Sequence, residues 1–109
     1  MISDESIERA LEWMTANANA AALAAGEVIR AEEMVKTTLA LVASGSTQET
    51  IAGQDREARA SQAFKKAVEE RVAAVYADRK FRLLYAAATS KIEVWRSQQA
   101  NNRGMDKIG

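Results

Sequence analysis

Apolar residues recur every three or four positions over most of the chain, which is the spacing of helices with one buried face. In the N-terminal part they follow alternating steps of four and three, and only Glu32 interrupts the series. Its members are Ile7, Leu11, Met14, Ala18, Ala21, Ala25, Val28, Val35, Leu39 and Val42. This heptad stripe predicts a long helix over about residues 4–43 that packs against a second helix.

A second helical pattern covers about residues 62–101. Its apolar positions are Phe64, Val68, Val72, Val75, Phe81, Leu84, Tyr85, Ala88, Ile92 and Trp95. The stripe that they form is wider than one neighbouring helix would cover. Asn101, Asn102 and Gly104 predict the end of this helix, followed by a frayed tail over residues 102–109.

The connector between these patterns, residues 44–60, begins with Ser44-Gly45-Ser46-Thr47. Gly45 is expected to cap the first helix in the left-handed conformation, a short helix is expected in the rest of the connector, and Ser61 is expected to cap the second long helix. The chain has no Pro and no strand signal. We therefore predict a single all-α domain over residues 1–109, a long antiparallel helical hairpin with a short connecting helix.

The sizes of the side chains suggest a register for this hairpin. Placing Ser44 opposite Ser61 sets the alanine-rich residues 16–25 against residues 80–89, where Phe81, Leu84 and Tyr85 are large. Small side chains would then face large ones, as close packing requires. The same register brings Trp13 near Trp95 and Ile92 in an aromatic cluster.

The apolar residues are too small to make a thick core, since 23 of them are Ala and 29 are larger. A small helical domain with few large side chains usually gains stability by self-association, so we predict a homo-oligomeric helical bundle. No secretion signal and no stretch of about 18 apolar residues occurs, which predicts a cytoplasmic protein without a membrane partner.

The absence of His and Cys excludes imidazole catalysis, thiol nucleophiles and Cys/His metal sites. Ser and Thr have no partner base, and no phosphate-binding loop follows a strand. Glu32-Glu33 and Glu69-Glu70 could together attract a hard cation such as Mg²⁺, but the neighbouring Arg and Lys residues favour simple ion pairs. We therefore predict a protein that is not an enzyme, with no catalytic residues, metal or cofactor.

Charge divides the neutral chain into two arms. Residues 1–44 hold seven acids and three bases, whereas residues 53–109 hold twelve bases and seven acids. The basic arm could follow a phosphate backbone, with Tyr85 or Trp95 stacking on unpaired bases, or its cations could simply pair with the acids of the first arm. The candidate nucleic-acid-binding residues are Arg79, Lys80, Arg82, Lys91, Trp95, Arg96 and Arg103.

Two segments carry a resemblance to known proteins. Residues 91–107, KIEVWRSQQANNRGMDK, and residues 55–61, DREARAS, resemble a group of small helical proteins of tailed bacteriophages and prophages. Genes of this group often accompany phage recombination or replication genes. The resemblance implies an accessory role with DNA or DNA-handling proteins in the bacterial cytoplasm, and it brings no catalytic motif.

These observations predict a phage-encoded accessory protein of DNA recombination or replication that binds single-stranded DNA or a recombination protein. The alternative is a protein that binds only other proteins, as an adaptor or as an inhibitor of a host factor. Salt-dependent binding to single-stranded oligonucleotides would distinguish the two, because phosphate contacts release counterions.

Overall fold

In the computed structural model the chain is an all-α helical hairpin with a short connecting helix, as predicted. The structure describes residues 1–108, and their side chains through Met105. Helix α1 spans Asp4–Ser44, α2 spans Ile51–Ala60 and α3 spans Gln62–Ile108. These three helices account for all the regular secondary structure of the described residues.

Hydroxyl side chains begin each helix, as their preference for N-cap positions predicts. The Ser3 hydroxyl accepts from the backbone N–H of Ser6 at 3.1 Å. Thr50 accepts from Gly53 N–H at 2.9 Å at the start of α2, and Ser61 accepts from Phe64 N–H at 3.2 Å at the start of α3. The predicted capping role of Ser61 is therefore confirmed.

The end of α1 differs from the prediction. The N–H of Gly45 donates to the Val42 carbonyl at 3.2 Å, and the Ser44 hydroxyl donates to the Leu41 carbonyl at 2.8 Å. No glycine in the described part of the chain has a positive φ. The left-handed cap expected at Gly45 is therefore wrong, because tight turns and a serine hydroxyl satisfy the last carbonyls instead.

The predicted frayed tail at residues 102–109 is also wrong over the described range, because α3 continues to Ile108. Asn and Gly each cost only about 1 kcal/mol or less in a helix interior, which weakens a helix without ending it. Asn101, Asn102 and Gly104 therefore do not end α3. Gly109 lies outside the described residues.

The chain divides into two compact units. The terminal unit comprises Met1–Ala21 and Lys80–Gly109, and the central unit comprises Ala22–Arg79. Each contains part of α1 and part of α3, and the central unit also contains α2.

One row of α1 is buried or half-buried along the helix, and it contains six of the ten predicted stripe positions, while the predicted Ala25 and Leu39 are half-buried beside it. The row is Ile7, Ala10, Met14, Asn17, Ala21, Ala24, Val28, Ala31, Val35, Thr38 and Val42. The predicted positions Leu11, Ala18 and Glu32 are exposed, and each has an inward-facing neighbour one residue earlier. The interruption at Glu32 therefore disappears, because Ala31 takes the inner position with only 3% of its surface exposed.

The register also differs from the one based on Ser44 and Ser61. In the terminal unit, the N–H of Ile2 donates to Gln98 at 3.0 Å, and Tyr85 donates to the carbonyl of Met14 at 2.5 Å. The predicted register would set residue 14 opposite residue 91. The two helices are thus shifted by about six residues, or between one and two turns.

The core is composed almost entirely of alanine. Its buried apolar residues are Ile7, Ala31, Ala58, Ala67, Ala74 and Ala88, and no large side chain of the described residues is fully buried. Small side chains let helix backbones approach closely, but they remove little apolar surface from water. Many leucine, isoleucine and valine side chains remain largely exposed.

Candidate functional site

Five basic side chains of α3 lie on the surface, outside the ion pairs given for residues 1–105. Arg79, Lys80, Lys91, Arg96 and Arg103 are all exposed. Within residues 1–105, none of these five side chains forms an ion pair. The interpretation that they pair with acids of the first arm therefore has no support at these five positions.

Three ion pairs of the described residues are local. They join Glu27 to Arg30, Glu33 to Lys36 and Asp55 to Arg59, each within one helical turn. The hydrogen bond from Arg30 lowers the pKa of the Glu27 carboxyl below its usual value of 4.5. The pKa of Arg30 is raised chiefly by Glu27, with a smaller Coulombic contribution from Glu70 on α3.

Two of the basic residues border a hollow near the end of α3, in the terminal unit. This surface, which we call the arginine hollow, is lined by Trp95, Arg96, Gln99, Ala100 and Arg103 and has a volume of about 620 Å³. Its members lie on successive turns of one helix. Two guanidinium groups beside an aromatic ring can contact phosphate oxygens and the face of a base together.

Trp95 has a fixed position in this hollow. Its indole N–H donates to the Asp4 carboxylate at 2.9 Å, and the residue is half-buried. Asp4 stands in the first turn of α1, where a carboxylate also interacts favourably with the helix dipole. The hydrogen bond therefore holds the tryptophan at the border of the arginine hollow.

Tyr85 takes part in contacts within the terminal unit. Its ring packs against Trp13 with centroids 5.1 Å apart, and its hydroxyl donates to the backbone of Met14. A half-buried tyrosine needs a partner for its hydroxyl, and this contact supplies one. Stacking of Tyr85 on bases stays a prediction, and these contacts already hold its ring and hydroxyl within the terminal unit. The expected cluster of Trp13 with Trp95 and Ile92 is wrong, because Trp13 pairs with Tyr85.

Lys91 belongs to a different surface of the terminal unit. It lines a mostly apolar groove of about 280 Å³ with Ala10, Trp13, Leu84, Ala87 and Ala88. We call this surface the tryptophan groove. Its composition suits an apolar side chain of a protein partner better than a nucleotide.

The remaining candidate residues lie outside both surfaces. Lys80 and Arg82 are exposed on α3 at the start of its terminal-unit segment, and Arg79 belongs to the central unit. The structure thus brings together Trp95, Arg96 and Arg103 from the predicted set. Gln99 is the additional polar residue of the arginine hollow, and its spacing of four from Trp95 is the signal that could have identified it.

The cation site considered at Glu32-Glu33 and Glu69-Glu70 has no support in the geometry. Among the described residues, no three acidic side chains lie close enough to hold a metal ion. Glu32, Glu33, Glu69 and Glu70 are all exposed. Within the same range, no helix is both long and apolar enough to cross a membrane.

Comparison of the chain with protein-family models, with curated proteins and with solved structures gives no match.

Proposed function

We propose that this chain is a non-enzymatic accessory protein that binds single-stranded DNA through the C-terminal part of α3. The resemblance to phage and prophage proteins favours a role in recombination or replication, in the cytoplasm of a bacterial host. In this role the protein acts as a homo-oligomer, because oligomerisation would repeat the binding surface along one strand.

One observation carries the proposal: within residues 1–105, the exposed cations Arg79, Lys80, Lys91, Arg96 and Arg103 form no ion pair. Unpaired surface cations contribute to phosphate binding without first breaking an intramolecular ion pair. The arginine hollow adds the ring of Trp95 to two of them. Because Tyr85 is held by Trp13 and Met14, we expect binding to depend mainly on phosphate contacts and little on base identity.

The test measures the binding of a fluorescently labelled oligothymidine by anisotropy over a range of salt concentrations. Replacing Arg96 and Arg103 together by Gln should weaken binding and reduce the salt slope by about one to two units. The matched control replaces Lys36 and Arg59 by Gln. It removes the same charge, but from residues that already have carboxylate partners, so its effect should be smaller.

A specific observation favours a second candidate function, a protein that binds only other proteins. The tryptophan groove is apolar, and Leu84 beside Trp13 is 43% exposed. Exposed apolar grooves commonly receive a side chain of a partner helix. If the wild-type protein has no affinity for the oligonucleotide even at low salt, the nucleic-acid proposal is wrong and this alternative replaces it.

A further inference from the structure

The central unit leaves several of its large apolar side chains exposed. Its buried residues are Ala31, Ala58, Ala67 and Ala74, whereas Leu23, Ile29 and Leu41 on α1 are each about two-thirds exposed. Covering such side chains is the main source of free energy in helix association.

Three large apolar side chains share one row of α1, outside its buried row. The row is Leu23, Glu27, Arg30, Met34, Thr37 and Leu41, and all six residues are exposed. Their steps alternate between four and three, which is the repeat that a second helix follows in a left-handed coiled coil. We call this row the leucine stripe. It lies entirely in the central unit and is about 27 Å long at 1.5 Å per residue.

The leucine stripe is symmetric about residue 32. Leu23 and Leu41 are equally far from that position, and so are Glu27 and Thr37, and Arg30 and Met34. An antiparallel copy of the same helix would therefore place every member of the stripe opposite another member, with Leu23 facing Leu41 at both ends. A two-fold interface requires this kind of self-complementarity.

Charge selects the antiparallel orientation. In a parallel pair Arg30 would face Arg30, and Glu27 would face Glu27. In the antiparallel pair Arg30 lies level with Met34 of the second copy and one residue from the Glu33 beside it, so that opposite charges approach. Arg30 already takes part in an ion pair with Glu27 of its own helix, and that pair can extend to the second copy.

From the spacing, the exposure and the charges we infer that the leucine stripe binds the leucine stripe of a second copy of this chain in an antiparallel pair. This inference deepens the homo-oligomer of the proposed function and does not depend on DNA binding. The interface is mixed in character, with leucines at its two ends and a charged centre.

Light scattering of the full chain tests the surface. The wild type should have the mass of at least a dimer, and Leu23→Glu with Leu41→Glu should halve that mass, because four buried carboxylates would oppose association. The matched control is Ile29→Glu with Ile51→Glu, which adds the same charge at exposed apolar sites of the same unit outside the stripe. The control should keep the wild-type mass.

Disulfide formation tests the orientation, since the chain has no native Cys. A mixture of Leu23→Cys and Leu41→Cys chains should form a covalent dimer on mild oxidation. Leu23→Cys alone should not, because the two introduced thiols would lie about 27 Å apart in the antiparallel pair.

Each contrary outcome has a distinct meaning. A monomeric wild type overturns both the homo-oligomer and this inference. An oligomer whose mass is the same in the stripe variant and the control overturns the stripe and leaves self-association standing. Efficient dimerisation of Leu23→Cys alone overturns the antiparallel orientation. None of these results bears on the oligonucleotide measurement, so the DNA-binding proposal fails or stands separately.

Discussion

The terminal and central units pack the same two helices by different means. In the terminal unit, side chains make hydrogen bonds between α1 and α3, from Tyr85 to Met14 and from Trp95 to Asp4. In the central unit, the side-chain hydrogen bonds given by the structure join residues no more than 11 positions apart. Its buried residues are all alanines, such as Ala31 and Ala74.

This difference separates two properties of a helical hairpin. Alanine faces allow close approach, but they are nearly alike at each turn and so discriminate weakly between registers. A hydrogen bond from a tyrosine hydroxyl or an indole N–H allows one register only, because sliding one helix along the other would leave a polar group without its partner. The terminal unit therefore specifies the register, and the central unit has a surface free for association.

The strongest expected effect falls on the aromatic pair of the terminal unit. Replacing Trp13 by Ala removes the ring against Tyr85 and one wall of the tryptophan groove. We expect the free energy of unfolding to fall by about 3 kcal/mol, the lower end for a tryptophan because Trp13 is half-exposed. Chemical denaturation followed by circular dichroism measures it.

Tyr76 provides the control for this prediction. It is an aromatic residue of α3 that is 70% exposed, so Tyr76→Ala should change the free energy of unfolding by less than about 0.5 kcal/mol. Equal losses in the two variants would show that the Trp13–Tyr85 pair has no special role in the terminal unit.

The sequence was sufficient to predict the helices, but not to predict which of their residues face inward. Period and capping residues predicted three helices, because a heptad pattern and hydroxyl caps are local signals. The inner row was harder to find, because Ala10 and Ala24 have neighbours of equal or greater hydrophobicity at Leu11 and Ala25. At Ala31 the steps of four and three pointed to Glu32 instead. In a chain this rich in alanine, hydropathy alone does not distinguish an inner small residue from an outer one.

The candidate site was predictable only where its residues lie close together in the sequence. Trp95, Arg96 and Arg103 were identifiable as aromatic and basic residues close together in the chain. The contacts of Tyr85 could not be predicted, because they join it to Met14 and Trp13, which are more than 70 positions away in sequence. A register error of about six residues is enough to hide such a contact.

The alanine packing of the central unit should respond to added volume. Ala74→Leu places a large side chain at a position that is 8% exposed, and we expect a loss of about 1 to 3 kcal/mol in the free energy of unfolding. The neighbouring Ala73 is exposed, so Ala73→Leu should have little effect. If Ala74→Leu is as stable as the wild type, the alanine face is not closely packed, and the two units differ less in how their helices pack.

Two helical glycines of the central unit should respond in opposite ways to replacement by Ala. A Cβ at Gly26 would meet nothing within 4 Å, so Gly26→Ala should stabilise the protein by up to about 1 kcal/mol. A Cβ at Gly53 would lie 2.9 Å from the Thr50 hydroxyl that caps α2. Gly53→Ala should therefore not stabilise the protein as Gly26→Ala does, because the new methyl group displaces the Thr50 hydroxyl. If both variants are stabilised by the same amount, the Thr50 side chain moves aside at little cost in free energy.

The smallest effect concerns the charged centre of the leucine stripe. The pKa of Glu27 is lowered mainly by the hydrogen bond from Arg30, so the folded state holds the proton less tightly than the unfolded chain does. Its stabilising contribution is therefore present above the unfolded pKa and is lost as the pH falls through the lower folded value. Because the pair is exposed, the change in stability should be slight.

Nuclear magnetic resonance titration of the Glu27 side-chain carboxyl measures this effect directly. Arg30→Gln should raise the pKa of Glu27 toward 4.5, because it removes both the hydrogen bond and the positive charge. Lys36→Gln removes a cation that pairs with Glu33, and it should leave the titration of Glu27 nearly unchanged. Identical Glu27 titrations in the wild type and in Arg30→Gln would mean that the pair does not persist in solution, and the leucine stripe would then lack the ordered charge at its centre that favours antiparallel pairing.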